Sequence, residues 1–141
     1  MKRLLRALAY FWVLLTAVVW LYVSAKALGD PGHSFGMGLV QTEGRNALWV
    51  TLPAGAAALA GCVLIWRRKA WGKWLLVAYG LFWGVALFGG AAKDAYEHYL
   101  LGYEVYSPSE LLQVLVVQAV LGAFFFLVAL WAWRNRNPNI P

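Results

Sequence analysis

The sequence predicts an all-α integral membrane protein, an up-down bundle of four transmembrane helices with both termini cytoplasmic. Three observations carry this reading. Of 141 residues, 62% are hydrophobic and only 13% charged, against about a quarter charged in soluble domains. Four segments, residues 7–28, 47–66, 74–92 and 111–133, each approach the roughly 20 apolar residues that a helix needs to cross about 30 Å of hydrocarbon. The charges are also sorted. All six acids, Asp30, Glu43, Asp94, Glu97, Glu104 and Glu110, fall within residues 29–46 and 93–110, whereas residues 1–6, 67–73 and 134–141 hold nine of the twelve Lys and Arg residues and no acid. Positive residues beside span ends are retained in the cytoplasm, so the acidic stretches face outward. So clean a bias favours a bacterial cytoplasmic (inner) membrane.

Residues 1–141 read as one four-span domain, with no room left for a soluble catalytic module. The net charge of +6 and pI near 9.7 come from short basic clusters at span ends rather than from one continuous face, which speaks against nucleic acid as a partner. Lys2, Arg3, Arg6, Arg67, Arg68, Lys69 and Lys73 are placed instead to meet anionic headgroups, so membrane lipids are the expected contacts.

The first span follows Lys2-Arg3 and carries near its far end Ala25-Lys26-Ala27, a small-x-small triplet of the signal-peptide cleavage type. Residues 7–23 carry no charge and exceed the 7–15 residues of a signal core, so the segment is read as a retained span. Leu28-Gly29-Asp30-Pro31 closes it, with Gly29 as a candidate left-handed cap and Pro31 as a stop. The outer loop that follows, with Gly32, Gly36, Gly38 and Gly44, shows no periodicity, although Phe35, Met37, Leu39 and Val40 are apolar enough to dip into the interface.

The second span carries Pro53 near its outer end, where it need not break the helix. The seven residues Arg67–Lys73 then force the second and third spans to be antiparallel neighbours, flanked by Trp66, Trp71 and Trp74. The third span continues beyond the membrane through Lys93, Asp94, Glu97 and His98. Ser107-Pro108-Ser109-Glu110 opens the fourth as a capping box, Ser107 being the N-cap and Glu110 reaching back to its amide. Trp131, Trp133, Arg134 and Arg136 mark its inner end.

Shifted by 67 residues, the chain matches itself at thirteen of 66 pairs, about twice chance. A tandem repeat of two helical hairpins and the shared constraints of two similar hairpins both account for this.

The span interiors contain no Asp, Glu, Lys, Arg or His, the groups that proton relays and ion-coupled carriers keep in a membrane. Their polar residues are Thr16, Thr51, Gln118, Tyr10, Tyr22 and Tyr79. Gln118 suits an interhelical hydrogen bond. Gly80 and Gly84 form a GxxxG pair, and Ala54/Ala58 and Ala57/Gly61 repeat the small-residue spacing, either for packing within the bundle or as a seam for another subunit.

One constellation has the makings of a site. Asp94, Glu97 and His98 fall at i, i+3 and i+4, His33 comes from the other outer loop, and such ligands suit a divalent transition metal. A solvated helix end with Lys93 as ion-pair partner is the simpler account, and no cofactor is otherwise implied. Tyr96, Tyr99 and Tyr103 would share a helical stripe, as an interfacial belt or a docking surface.

The leading expectation is a non-catalytic accessory or scaffold subunit of a larger membrane complex, packing through small-residue faces and presenting an acidic, Tyr-rich outer surface. A small homo-oligomeric transporter or lipid-handling protein, its path lined by Gln118 and the span tyrosines, is the alternative. An outward-facing metal-binding protein or metal-dependent enzyme is the third.

Overall fold

A computed structural model describes residues 1–30, 32 and 34–134. The chain runs α1 (Lys2–Gly29), β1 (Ser34–Met37), β2 (Val40–Glu43), a 3₁₀ turn (Gly44–Ala47), α2 (Leu48–Trp66), α3 (Ala70–Tyr99) and α4 (Pro108–Arg134). All four helices are long and apolar enough to cross a membrane, and each encloses or closely matches one of the apolar segments.

Helix α1 packs on α2, α2 on α3, and α3 on α4 along most of their lengths, while α4 returns to touch α1. The faces that meet are set by helical spacing. Ala9, Val13, Ala17, Trp20, Ser24 and Ala27 form the buried stripe of α1, one residue every three or four positions as a 3.6-residue turn demands. The outward faces carry large apolar side chains such as Phe11, Val18, Phe82 and Val117, as a lipid-facing surface requires. Trp20, Trp83, Phe125, Leu76 and Leu87 fill the centre.

Close helix approach is purchased with glycine at two seams. A Cβ on Gly80 would strike the Phe125 carbonyl and Ala129 of α4, and one on Gly72 would strike Leu64 and Ile65 of α2. These positions let backbones meet, the means by which helices associate in lipid without a hydrophobic drive between them.

The segment between α1 and α2 departs from the all-α reading. Ser34–Met37 and Val40–Glu43 form an antiparallel hairpin, with Phe35 opposite Thr42 and Met37 opposite Val40. Its two-residue turn opens on Gly38 at φ 65°, the backbone that glycine supplies to such turns. The alternation is real but four residues long per strand, with Phe35, Met37, Val40 and Thr42 more buried than the residues between them. The hairpin leans inward: the Leu39 amide donates to the Ala86 carbonyl at 3.0 Å, and Phe35 meets Trp20 and Trp83 edge-on. Backbone at this depth is tolerated where it is paired within the hairpin or bonded to α3.

One further local expectation is corrected. Gly29 is the last helical residue of α1 rather than a left-handed cap; Asp30 ends the helix in an extended conformation, its amide still bonded to the Lys26 carbonyl. In the tight α2–α3 turn it is Arg68, not a glycine, that takes the left-handed conformation, at φ 57°. Pro53 lies inside α2, which continues through it.

Candidate functional site

The end of the bundle bearing the acids is uneven. Counted from the stacked pair Trp20–Trp83, α1 continues nine residues to Gly29 and α3 sixteen to Tyr99. At 1.5 Å per residue, α3 and the start of α4 stand roughly 10 Å beyond α1. The candidate residues of the third span occupy this projection.

Gln118 and Asp94, far apart in sequence, meet there. The Gln118 side-chain amide donates to the Asp94 carboxylate at 3.1 Å, tying α4 to α3. Lys93 and Glu97, one turn apart, approach to 3.8 Å. His98 lies edge-on to Tyr99 at 5.0 Å, with its Nδ1 buried and unpartnered, as is the Gln118 Oε1. Among the described residues no three His, Cys, Asp or Glu side chains gather as a metal cage, so Asp94, Glu97 and His98 share a helix end without converging. His33 lies outside the described residues.

The tyrosines divide. Tyr96 and Tyr99 are on α3, but the helix stops at Tyr99 and Gly102, at φ 71°, turns the chain. Tyr103 therefore stands beyond the helix, its amide bonded back to the Glu97 carbonyl at 3.0 Å. Tyr99 (70% exposed), Leu100 (74%), Tyr103 (58%) and Val105 (70%) together cover the tip with apolar and aromatic surface. Beneath it the capping box is formed: the Ser107 amide donates to Glu110 at 3.0 Å and the Glu110 amide to the Ser107 hydroxyl at 3.3 Å. The Ser107 amide first, and the Ser107 side chain second, hold the Glu110 carboxyl below its ordinary value.

Gly80 and Gly84 face α4 of the same chain, Gly84 lying against the Phe126 ring. Ala58 and Gly61 are likewise buried within the bundle.

A polar knot that the sequence did not single out lies deeper. The Trp20 indole donates to the Tyr79 hydroxyl at 2.6 Å, and Thr16 bonds the same hydroxyl at 2.7 Å. Between α1 and α2, the Ser24 and Thr51 hydroxyls share a 2.8 Å bond in which one donates to the other, and the accepting hydroxyl gives its own proton to the carbonyl one turn back, Trp20 O for Ser24 or Ala47 O for Thr51. The available signal was a tryptophan in one apolar span and a tyrosine in another, each with a polar atom that needs a partner in lipid. Thr16, Thr51 and Tyr79 are thus tied into helix contacts.

Beside the hairpin a polar pocket of about 570 Å³, lined by Ser34, Gln41, Thr42, Glu43 and Asn46 among others, opens at the acidic end. Compared with protein families, curated proteins and solved structures, the chain matches none.

Proposed function

We propose that the chain is a non-catalytic accessory subunit of a membrane complex, that its basic end lies in the cytoplasm of a bacterial cell, and that it grips its partner with the projecting α3–α4 tip. The observation that carries this reading is the run of exposed apolar and aromatic residues there, Tyr99, Leu100, Tyr103 and Val105. They crown a projection of roughly 10 Å that α1 does not share. Exposed apolar surface of this kind, rimmed by charge, is characteristic of protein contact, and Glu97 and Glu104 supply the charged rim.

Two features support the non-catalytic part. The midspan hydroxyls join helices to one another rather than lining a path, and the Gly80/Gly84 seam serves α4 of the same chain. With that seam in internal use, the partner surface is assigned to the tip rather than to the GxxxG face.

Purification from the native membrane in mild detergent should bring down a stoichiometric partner, and Leu100→Asp with Tyr103→Asp should lose it while the protein itself remains folded. A clean monomer or homodimer from that membrane would sink the reading.

A further inference from the structure

The opposite end of the bundle carries a different chemistry. The structure places the start of α1 and the Arg67–Lys73 turn each beside the end of α4, as the pairs Tyr10–Trp131 and Trp74–Trp133 record. Eight basic residues among those described belong to this end, and none of the six acids does. No side-chain carboxylate of this chain can therefore neutralise it at close range. Among the described residues the ion pair found, Lys93–Glu97, lies at the far end.

Within this surface one basic residue is set apart by its surroundings. The Lys73 ammonium lies 5.6 Å from the Trp74 ring centre and 5.4 Å from that of Trp133, and the two indoles touch edge-to-face at 5.6 Å. One ring comes from the first turn of α3 and the other from the last turn of α4. Two aromatic faces hold the ammonium without neutralising it. Arg134 follows Trp133 and is exposed, which brings a second cation to the same corner. On the other side of α4, Arg6 lies over Tyr10 at 5.7 Å, so the last turn of α4 is bracketed by cations resting on aromatic rings.

We infer that the Lys73–Trp74–Trp133–Arg134 corner is a binding site for the phosphate of an anionic phospholipid. The two cations meet the headgroup and the two indoles take the interfacial depth at which such rings reside. Charge complementarity selects the lipid: the described surface lacks side-chain acids, lies at the ends of spans, and has the Lys73 ammonium beside two exposed indoles. The inference concerns the end remote from the proposed partner tip, and either can fail without the other.

The test uses the full chain in detergent, exchanged into phosphatidylcholine vesicles with or without one-fifth phosphatidylglycerol. Lipid retained after re-extraction is weighed by native mass spectrometry. The wild type should retain phosphatidylglycerol over phosphatidylcholine. Removal of each charge in Lys73→Gln and Arg134→Gln should lower that preference about fivefold, with Lys73→Arg keeping most of it. Lys26→Gln removes a cation that rests on Tyr22 at the acidic end and should leave the preference unchanged. Melting temperature in pure phosphatidylcholine should be unaltered by the charge variants, which separates lost binding from lost folding. Equal retention of the two lipids by the wild type, or an undiminished preference in the Lys73→Gln/Arg134→Gln double variant, overturns the inference. Inorganic phosphate at matched concentration should not displace the lipid; displacement would show a site for free anions and would equally overturn it.

Discussion

The Trp20 indole and the Tyr79 hydroxyl, 2.6 Å apart, join α1 to α3 across the middle of the bundle. These are helices on opposite sides of it, each packed chiefly on other neighbours. The bond is made where no water is at hand to replace it, and Thr16 engages the same hydroxyl from α1. Tyr79→Phe should therefore leave the indole N–H without an acceptor and cost about 1–2 kcal/mol, read by reversible unfolding in mixed micelles. Trp20→Phe in the Tyr79→Phe background should cost less than Trp20→Phe alone. Additive losses would show that the bond contributes nothing of its own.

The hairpin tip has a more severe requirement. Gly38 lies against the Ala86 carbonyl and Leu87, with the left-handed backbone that a side chain strains, and Gly90 lies against Gly38 itself. Gly38→Ala and Gly90→Ala should each dislodge the tip. In a Cys62→Ala background, Phe35→Cys, at a buried position of the hairpin, should react slowly with a membrane-impermeant maleimide, and either alanine substitution should speed that reaction at least tenfold. Unchanged rates would mean that the tip is not seated as described.

At the α3–α4 seam, Gly80 meets backbone rather than a movable side chain. Gly80→Ala must push the helices apart, with an expected loss of about 1–3 kcal/mol. Gly84 faces the Phe126 ring, which can rotate, so Gly84→Ala should lose less. The order of the two melting temperatures in detergent checks this.

The tight turn at Arg68 predicts a gain. A non-glycine residue at φ 57° is strained by about 1 kcal/mol or more, and Arg68→Gly should recover part of it as a higher melting temperature. The comparison belongs in zwitterionic detergent, where the lost charge has the least effect.

Glu110 stands ahead of the apolar run of α4, and its bonds with Ser107 lower its carboxyl pKa from the ordinary 4.5. A lowered folded-state value means that the box stabilises fully above pH 4.5 and loses this contribution as pH falls through the lowered value. Ser107→Ala should cost about 1 kcal/mol at pH 7, and the wild-type advantage should shrink on acidification below that point. Thermal melts of both proteins at pH 7 and below 4 provide the measurement.

How much of this was legible depended on whether one residue's neighbours in sequence decide its place. The spans, the Arg67–Lys73 turn and the Ser107–Glu110 box are local matters of apolar length and cap chemistry, and they stand where the sequence puts them. The hairpin was missed because Phe35, Met37, Val40 and Thr42 alternate over strands too short to register, with Gly36 and Gly38 diluting the pattern. Its seat is supplied from α3 by Trp83, Ala86 and Gly90. Gln118 was read as a residue seeking an interhelical bond, but nothing in its own span identified Asp94. Tyr103 failed as a helical residue because Gly102 turns the chain first. The 67-residue shift carries Trp20, Leu21 and Gly55 onto Leu87, Phe88 and Gly122, and Gly55 lies against Trp20 and Leu21 as Gly122 does against Leu87 and Phe88.

The Leu39–Ala86 hydrogen bond also orders events during biogenesis. Its acceptor lies 47 residues further along the chain than its donor, a delay of several seconds at about 5–20 residues per second. When α1, the hairpin and α2 leave the ribosome, the strands have Trp20 of α1 against Phe35 but lack the α3 part of their seat, and their outward backbone groups must remain hydrated at the bilayer surface. Only the arrival of α3 lets the hairpin sink. A nascent chain stalled between Trp66 and Ala70 should thus hold the hairpin in water, open to proteases and chaperones, and the insertion of α3 is the step that closes the acidic half of the molecule.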